Sequence, residues 1–183
     1  MPLTDSLRDD ILASVPSLRA FAISLSGNGD RADDLVQETL LRAIANINSF
    51  QPGTNMAAWL VTILRNLFRS EFSKRRREVE DIDGRYLASL KVPPEQHSRM
   101  EFEEFRDALA KLPLGQREAL LLVGASGFSC EEAAAICETA AGTIKSRVSR
   151  ARTRLSELLS IDSADRFGPD PATRAILIAG GRG

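Results

Sequence analysis

A chain of 183 residues, 43% apolar and 27% charged, has room for one or two compact domains and is too apolar to be disordered throughout. Its 24 basic and 25 acidic side chains nearly cancel, but they are segregated along the chain, so the formal charge of −1 excludes no class of partner. No apolar run is long enough to cross a bilayer, no secretory signal is read at the start, and Cys130 and Cys137 make no disulfide framework, so a reducing cytoplasm is expected rather than a membrane or an extracellular scaffold.

Aromatic residues are sparse, and Ala, Leu, Arg and Glu are abundant, which favours helix. Leu7, Ile11 and Val15 begin a helical pattern that Pro16 is expected to end or kink, and Leu18, Phe21, Ala22 and Leu25 continue it. Gly27-Asn28-Gly29 signals a turn. A strong helix follows from Arg31 to Ile47, with Asp30, Asp33 and Asp34 near its start, where the helix dipole favours acids. Its apolar stripe is Ala32, Leu35, Val36, Thr39, Leu40, Ala43 and Ile47; opposite stand Asp34, Gln37, Glu38 and Leu41. On the residues alone a solvated ridge is the commoner reading, and the leucine among polar neighbours keeps a protein contact surface open.

Gln51 to Asn55 form a loop, with Asn55 placed to cap the next helix, from Met56 towards Arg77. Met56, Leu60, Ile63 and Leu67 give that helix its core stripe; Val61, Arg65, Phe68, Arg69 and Phe72 fall opposite, a mixture of rings and guanidinium groups suited to unpaired DNA. The competing reading packs Phe68 and Phe72 into the core and leaves the arginines solvated. From Arg65 to Arg77 six cations stand against one acid, Glu71; from Glu78 to Asp107 nine acids stand against four cations. The acidic stretch 78–99 carries Pro93-Pro94 and reads as a linker of roughly 20 residues, able to extend about 70 Å.

Beyond it, Phe102, Phe105, Leu109 and Leu112 mark another helix, which Pro113-Leu114-Gly115 stops. Gln116 to Val123 reads as a short apolar helix and Gly124 to Phe128 as a loop. Ser129-Cys130-Glu131-Glu132 matches a capping box that opens a helix ending near Cys137. The segment "GTIKSRVSRARTRL" (Gly142–Leu155) then carries five cations and no acid. On a helical wheel Ile144, Val148, Ala151 and Leu155 bury. Gly142, Thr143, Ser146, Ser149, Arg150 and Thr153 face away, with Lys145 and Arg152 on one flank and Arg147 and Arg154 on the other. A ridge of mostly small residues between cationic flanks fits a DNA major groove, with the ridge near bases and the flanks near phosphates. A short capped helix before such a helix is a helix-turn-helix arrangement. Residues 161–183, rich in Gly and Pro, read as a frayed tail.

Taken together these motifs resemble the sigma factors of RNA polymerase, sigma-70 family, of the short extracytoplasmic-function type. "ADDLVQETLLRAI" (Ala32–Ile44) resembles the helix that grips the polymerase largest subunit. "MAAWLVTILRN" with the basic run after it resembles the segment that melts and reads the −10 element, and "GTIKSRVSRARTRL" resembles the −35 recognition helix. The resemblance spans about residues 8 to 160, in order. Within the family "QREALLLVGASGFSCEEAA" (Gln116–Ala134) is similar to the alphaproteobacterial general-stress-response group, in which a small helical anti-sigma factor holds the sigma factor inactive.

The resemblance implies an all-α fold of two small domains, 1–77 and 100–160, joined by the linker 78–99. It implies core RNA polymerase and promoter DNA as partners, duplex at −35 and melted at −10, and no cofactor or metal. It assigns polymerase binding to Asp34, Gln37 and Glu38, with Leu41 added by its place on the same ridge, and so favours contact over solvation there. It places −10 contacts at Gly53, Thr54, Asn55, Met56, Arg65 and Asn66, to which the face opposite the core stripe adds Arg69. It places −35 contacts at Lys145, Ser146 and Arg150, to which the helical wheel adds Arg147, Ser149, Arg152 and Arg154. One position departs from the family pattern: Glu138 stands in the turn where glycine is usual, so the turn is expected to be altered or strained, with Thr139 as a possible alternative cap for the last helix.

Two rival functions follow from the sequence. A sigma-like mimic would occupy an anti-sigma factor without touching DNA; the two basic helices and the lack of a receiver domain count against it. An enzyme is disfavoured because His97 is the lone histidine, no nucleophile–base pair or phosphate loop is visible, and Cys130, Cys137 and His97 match no usual zinc spacing.

Overall fold

The structure, a computed structural model, describes residues 4–80 and 97–159. Among them the regular elements are all helical: α1 (Asp5–Ser26), α2 (Gly29–Ala45), α3 (Met56–Glu80), α4 (His97–Ala110), α5 (Leu114–Leu120), α6 (Cys130–Cys137) and α7 (Ala141–Leu158), with a short 3₁₀ turn at Ile47–Ser49. The chain divides into two compact units, Met1–Glu101 and Phe102–Gly183.

In the first unit α1, α2 and α3 pack against one another. Pro16 does not end the first helix, contrary to expectation: α1 runs through it, with Thr4 capping its start. An internal proline costs about 3 kcal/mol by removing one hydrogen bond. Here it sits on the exposed side, while Leu7 and Ile11 before it and Leu18, Phe21, Ala22 and Leu25 after it all bury. Burying two such runs at about 25 cal/mol per Å² outweighs one missing bond. Gly27, at φ +70°, closes α1, and the side chain of Asn28 accepts a bond from the Arg31 amide at 2.9 Å to open α2. Helix α2 thus starts two residues earlier than its apolar pattern indicates and ends at Ala45. The expected stripe is otherwise buried, apart from Leu40, which is half-buried. The hydroxyl of Thr39 is satisfied inside the core by the Leu35 carbonyl at 2.6 Å.

Helix α3 departs most from the wheel. Met56, Leu60, Val61, Leu64, Arg65, Leu67 and Phe68 are all buried, and Ile63 is half-buried. The expected exposed side therefore loses Val61, Arg65 and Phe68 to the core, because α1 and α2 both lie on α3 and together cover more than one stripe. The helix also continues past Arg77 to Glu80, and α4 begins at His97, so the stretch expected to be linker is helical at both edges. Its centre and the tail lie outside the described residues.

In the second unit α5 and α6 both pack on α7. The expected apolar helix is α5 followed by a wider π turn at Leu121–Ala125, so Gly124 and Ala125 are not loop. The Phe128 amide donates to the Leu122 carbonyl at 3.1 Å, which brings the Phe128 ring back into the core. Arg117 donates to the Ala110 and Leu112 carbonyls at the end of α4, and burial pushes its pKa down.

Candidate polymerase and nucleic-acid interfaces

The capping box that opens α6 is complete: the Ser129 hydroxyl accepts from the Glu132 amide at 3.0 Å and the Glu132 carboxylate accepts from the Ser129 amide at 2.9 Å. The helix closes on Glu138, which is left-handed at φ 53°, ψ 50°. Thr139 N–H reaches back to the Ala134 carbonyl at 3.0 Å and Glu138 N–H to Ala135 at 3.2 Å, a Schellman ending of the kind glycine usually makes. The turn is therefore kept and strained rather than rebuilt. Thr139 does not cap the next helix; Ala140 holds that position with no side-chain bond.

From that turn α7 projects with Ile144, Val148, Ala151 and Leu155 in the core, as the periodicity predicts. Lys145, Ser149, Arg150, Thr153 and Arg154 are exposed. The remaining flank cations are less available. Arg147 is half-buried, its guanidinium carbon 3.5 Å from where a Cβ on Gly115 would lie. Arg152 is half-buried too, with a buried Nε that has no acceptor. Ser146 spends its hydroxyl on the Thr143 carbonyl at 3.0 Å.

In the first unit Asp34, Gln37, Glu38 and Leu41 form an exposed ridge along α2. Leu41 is 59% exposed, and Ile44, three residues on, is 48% exposed and extends the apolar end of the ridge. Glu38 accepts from Arg42 at 2.7 Å within the helix. Across the unit, Gly53 takes φ +87°, Thr54 donates to the Gln51 carbonyl at 2.7 Å, and Asn55 accepts from the Ala58 amide at 3.2 Å, which makes it the expected cap. These three side chains or backbones are exposed, as are Asn66 and Arg69. Met56 and Arg65 are not: at 8% and 5% exposed they belong to the packing, against the expectation that they face DNA. Phe68 is core as well, stacked beneath the Arg31 guanidinium at 5.0 Å, whereas Phe72 stays exposed with its ring 6.0 Å from that of Phe68.

Comparison with known proteins meets this geometry at both units. Residues 11–78 match Sigma-70 region 2, and residues 102–155 match Sigma-70, region 4. The ECF RNA polymerase sigma factor EcfG of Rhodopseudomonas palustris (strain TIE-1) is 73% identical over 183 residues, 100% of each chain. The chain belongs to the sigma-70 family, extracytoplasmic-function type. As a sigma factor it works with core RNA polymerase and promoter DNA, and its two units are regions 2 and 4. The sigma factor RpoE of Bartonella quintana, solved in complex with the anti-sigma factor NepR, is 53% identical with a TM-score of 0.78, over 87% of this chain and 100% of that one. The anti-anti-sigma factor PhyR of the same organism, complexed with NepR, shares the fold at a TM-score of 0.56, with 21% identity over 82% of this chain and 49% of that one.

Sequence reasoning missed Ile44 and Arg31. Ile44 had a signal, its place three residues beyond Leu41 on the same ridge. Arg31 had none, because its contacts with Phe68 and with Glu71, at 3.2 Å, join residues about 40 apart in the chain.

Proposed function

We propose that this sigma factor reads promoters through two separate surfaces: region 2 holds the polymerase and the melted −10 strand, and region 4 enters the −35 major groove. One observation carries the reading. Helix α7 follows a helix-turn-helix turn, buries one line of apolar residues, and from Gly142 to Leu155 turns small residues and cations outward with no acid among them, the exposed Glu157 standing only in its last turn. Arg150, on that face, suits bidentate bonding to a guanine, and Lys145 and Arg154 suit phosphates. In region 2 the α2 ridge from Asp34 to Leu41 serves the polymerase, and the exposed Gly53, Thr54 and Asn55 take a −10 base, with Asn66 and Arg69 farther along α3 contributing to the same strand.

The chain would act in the cytoplasm and perform no chemistry itself; phosphodiester formation belongs to the polymerase. A general stress response, with a small helical anti-sigma factor as the restraint, is supported by the likeness to the Bartonella RpoE–NepR complex. A sigma-like mimic shares the fold, but identity of 73% to a sigma factor against 21% to the anti-anti-sigma factor favours the active role. Transcription in vitro with core polymerase tests the reading. Promoter-directed initiation that a NepR-type protein abolishes supports it; an inert chain that binds such a protein supports the mimic.

A further inference from the structure

The side chain of Arg31, in the first turn of α2, lies across two successive turns of α3. Its guanidinium stands over the Phe68 ring at 5.0 Å and donates to the Glu71 carboxylate at 3.2 Å. Before that point α3 is packed, with Leu64, Leu67 and Phe68 buried; after it Phe72, Ser73, Lys74, Arg75 and Arg77 are all exposed. Arg31 therefore grips the root of a projecting stretch of helix. It also stands one turn before Asp34, which opens the α2 ridge, and both line one cleft with Glu71, Lys74 and Arg75. The place is costly for a cation: the side chain is 21% exposed, its Nε is buried without an acceptor, and desolvation, then the charge of Arg75, push its pKa down. A leucine would cover Phe68 with no charge to desolvate. What arginine adds is direction, since a flat guanidinium that stacks on a ring and aims at one carboxylate fixes distance and angle together.

We propose that Arg31 is a positioning residue, a latch that sets the outer turns of α3 relative to the polymerase-binding ridge of α2 and so couples polymerase binding to opening of the −10 element. It acts through Phe68 and Glu71, not by touching DNA. From Glu71 to Glu80 the helix rises about 14 Å, so a tilt of about 10° at the latch displaces its end by about 2 Å. A displacement of that size is enough to slow a step that depends on alignment tenfold or more. The latch rests on the reading that region 2 meets both the polymerase and the melted strand.

The test assembles the full chain with core polymerase on promoter DNA and reads two quantities apart: core affinity by titration, and opening by the permanganate reactivity of unpaired thymines near the −10 element. Arg31→Ala should bind core as the wild type does and open the promoter about tenfold less. Arg31→Lys, which keeps the cation but not the flat fork, should fall between the two. Glu71→Gln keeps the fold in any case, because its side chain is 46% exposed and Phe68 stays covered; it should reproduce part of the loss. Arg31→Ala combined with Glu71→Gln should lose no more than Arg31→Ala alone, since both act on one contact. Opening by Glu71→Gln equal to wild type, losses that add in the double variant, or losses of opening matched by equal losses of core affinity would each make Arg31 ordinary packing and overturn the latch. Those results leave promoter opening by the wild type, and with it the reading of region 2, intact. A wild-type chain that opens no promoter removes both.

Discussion

In α7 the buried residues form a single line, Ile144, Val148, Ala151 and Leu155, whereas in α3 they spread over Met56, Leu60, Val61, Leu64, Arg65, Leu67 and Phe68. Both helices carry a surplus of cations, yet the surplus is disposed differently. The neighbours of α7 are α5 and α6, of 7 and 8 residues; those of α3 are α1 and α2, of 22 and 17 residues. Short neighbours, alanine-rich in α6, cover a narrow arc, so cations appear on α7 from its first turns. Long neighbours cover a wide arc of α3, and its exposed cations begin only at Arg69, where that cover thins. A run of basic residues therefore marks a binding face only where nothing longer packs against it.

The sharpest break of this contrast is Ile144→Asp. Ile144 is fully buried, and a charge there should cost several kcal/mol and unfold region 4 while region 2 keeps its helices. Thermal unfolding followed by circular dichroism would show one transition lost and one retained.

Arg65 and Arg150 sharpen it further, as the same residue type in the two settings. Arg150→Ala should leave stability unchanged, cost about 1–3 kcal/mol at one −35 base pair and relax preference there. Arg65→Ala should lower the melting temperature through lost packing of its buried stem. Denaturant melts beside binding to single-base variants check the pair. Arg154→Ala, exposed on the flank, should instead weaken all duplexes alike and lower the salt slope by about one.

The α2 ridge provides the case without cations. Gln37→Ala with Glu38→Ala should reduce core polymerase binding by more than about 1 kcal/mol and leave helical content unchanged, because both residues are exposed and alanine favours helix. A core-binding titration with circular dichroism of the same protein decides it.

Glu138→Gly carries a smaller effect. Relieving a left-handed glutamate should raise the melting temperature of region 4 by an amount equivalent to about 1 kcal/mol. The smallest effect belongs to Arg19 and Asp33, bonded at 2.6 Å on the open surface. The hydrogen bond from Arg19 holds the Asp33 carboxyl below its ordinary value. Its contribution is therefore present above the usual aspartate range and is lost as pH falls through the lower folded value. Solvent screening at this surface site keeps it small, so Arg19→Ala should barely move the neutral-pH melting temperature.

The helix boundaries at α6 and α7, the α2 stripe and the Asn55 cap were legible because each is set by residues within one or two turns. The Glu138 turn was legible for the same reason. Pro16 misled because a local breaker was overridden by burial on both sides of it. Arg65 misled because its burial depends on the lengths of α1 and α2, which no window on α3 contains; the burial of Met56 was legible in the core stripe, and Phe68 takes the core place that the competing reading gave it. Arg147 and Arg152 looked like equivalent flank cations to Arg154, and only packing separates them.

The measurement that bears most directly on the two-surface account is transcription in vitro, with core polymerase, from a library randomised at both promoter elements. Wild type, Asn55→Ala and Arg150→Ala are compared by sequencing the transcripts. The account predicts that Asn55→Ala alters preference within the −10 element alone and Arg150→Ala within the −35 element alone. A shift of the same element by both variants, or of neither element by either, would contradict it.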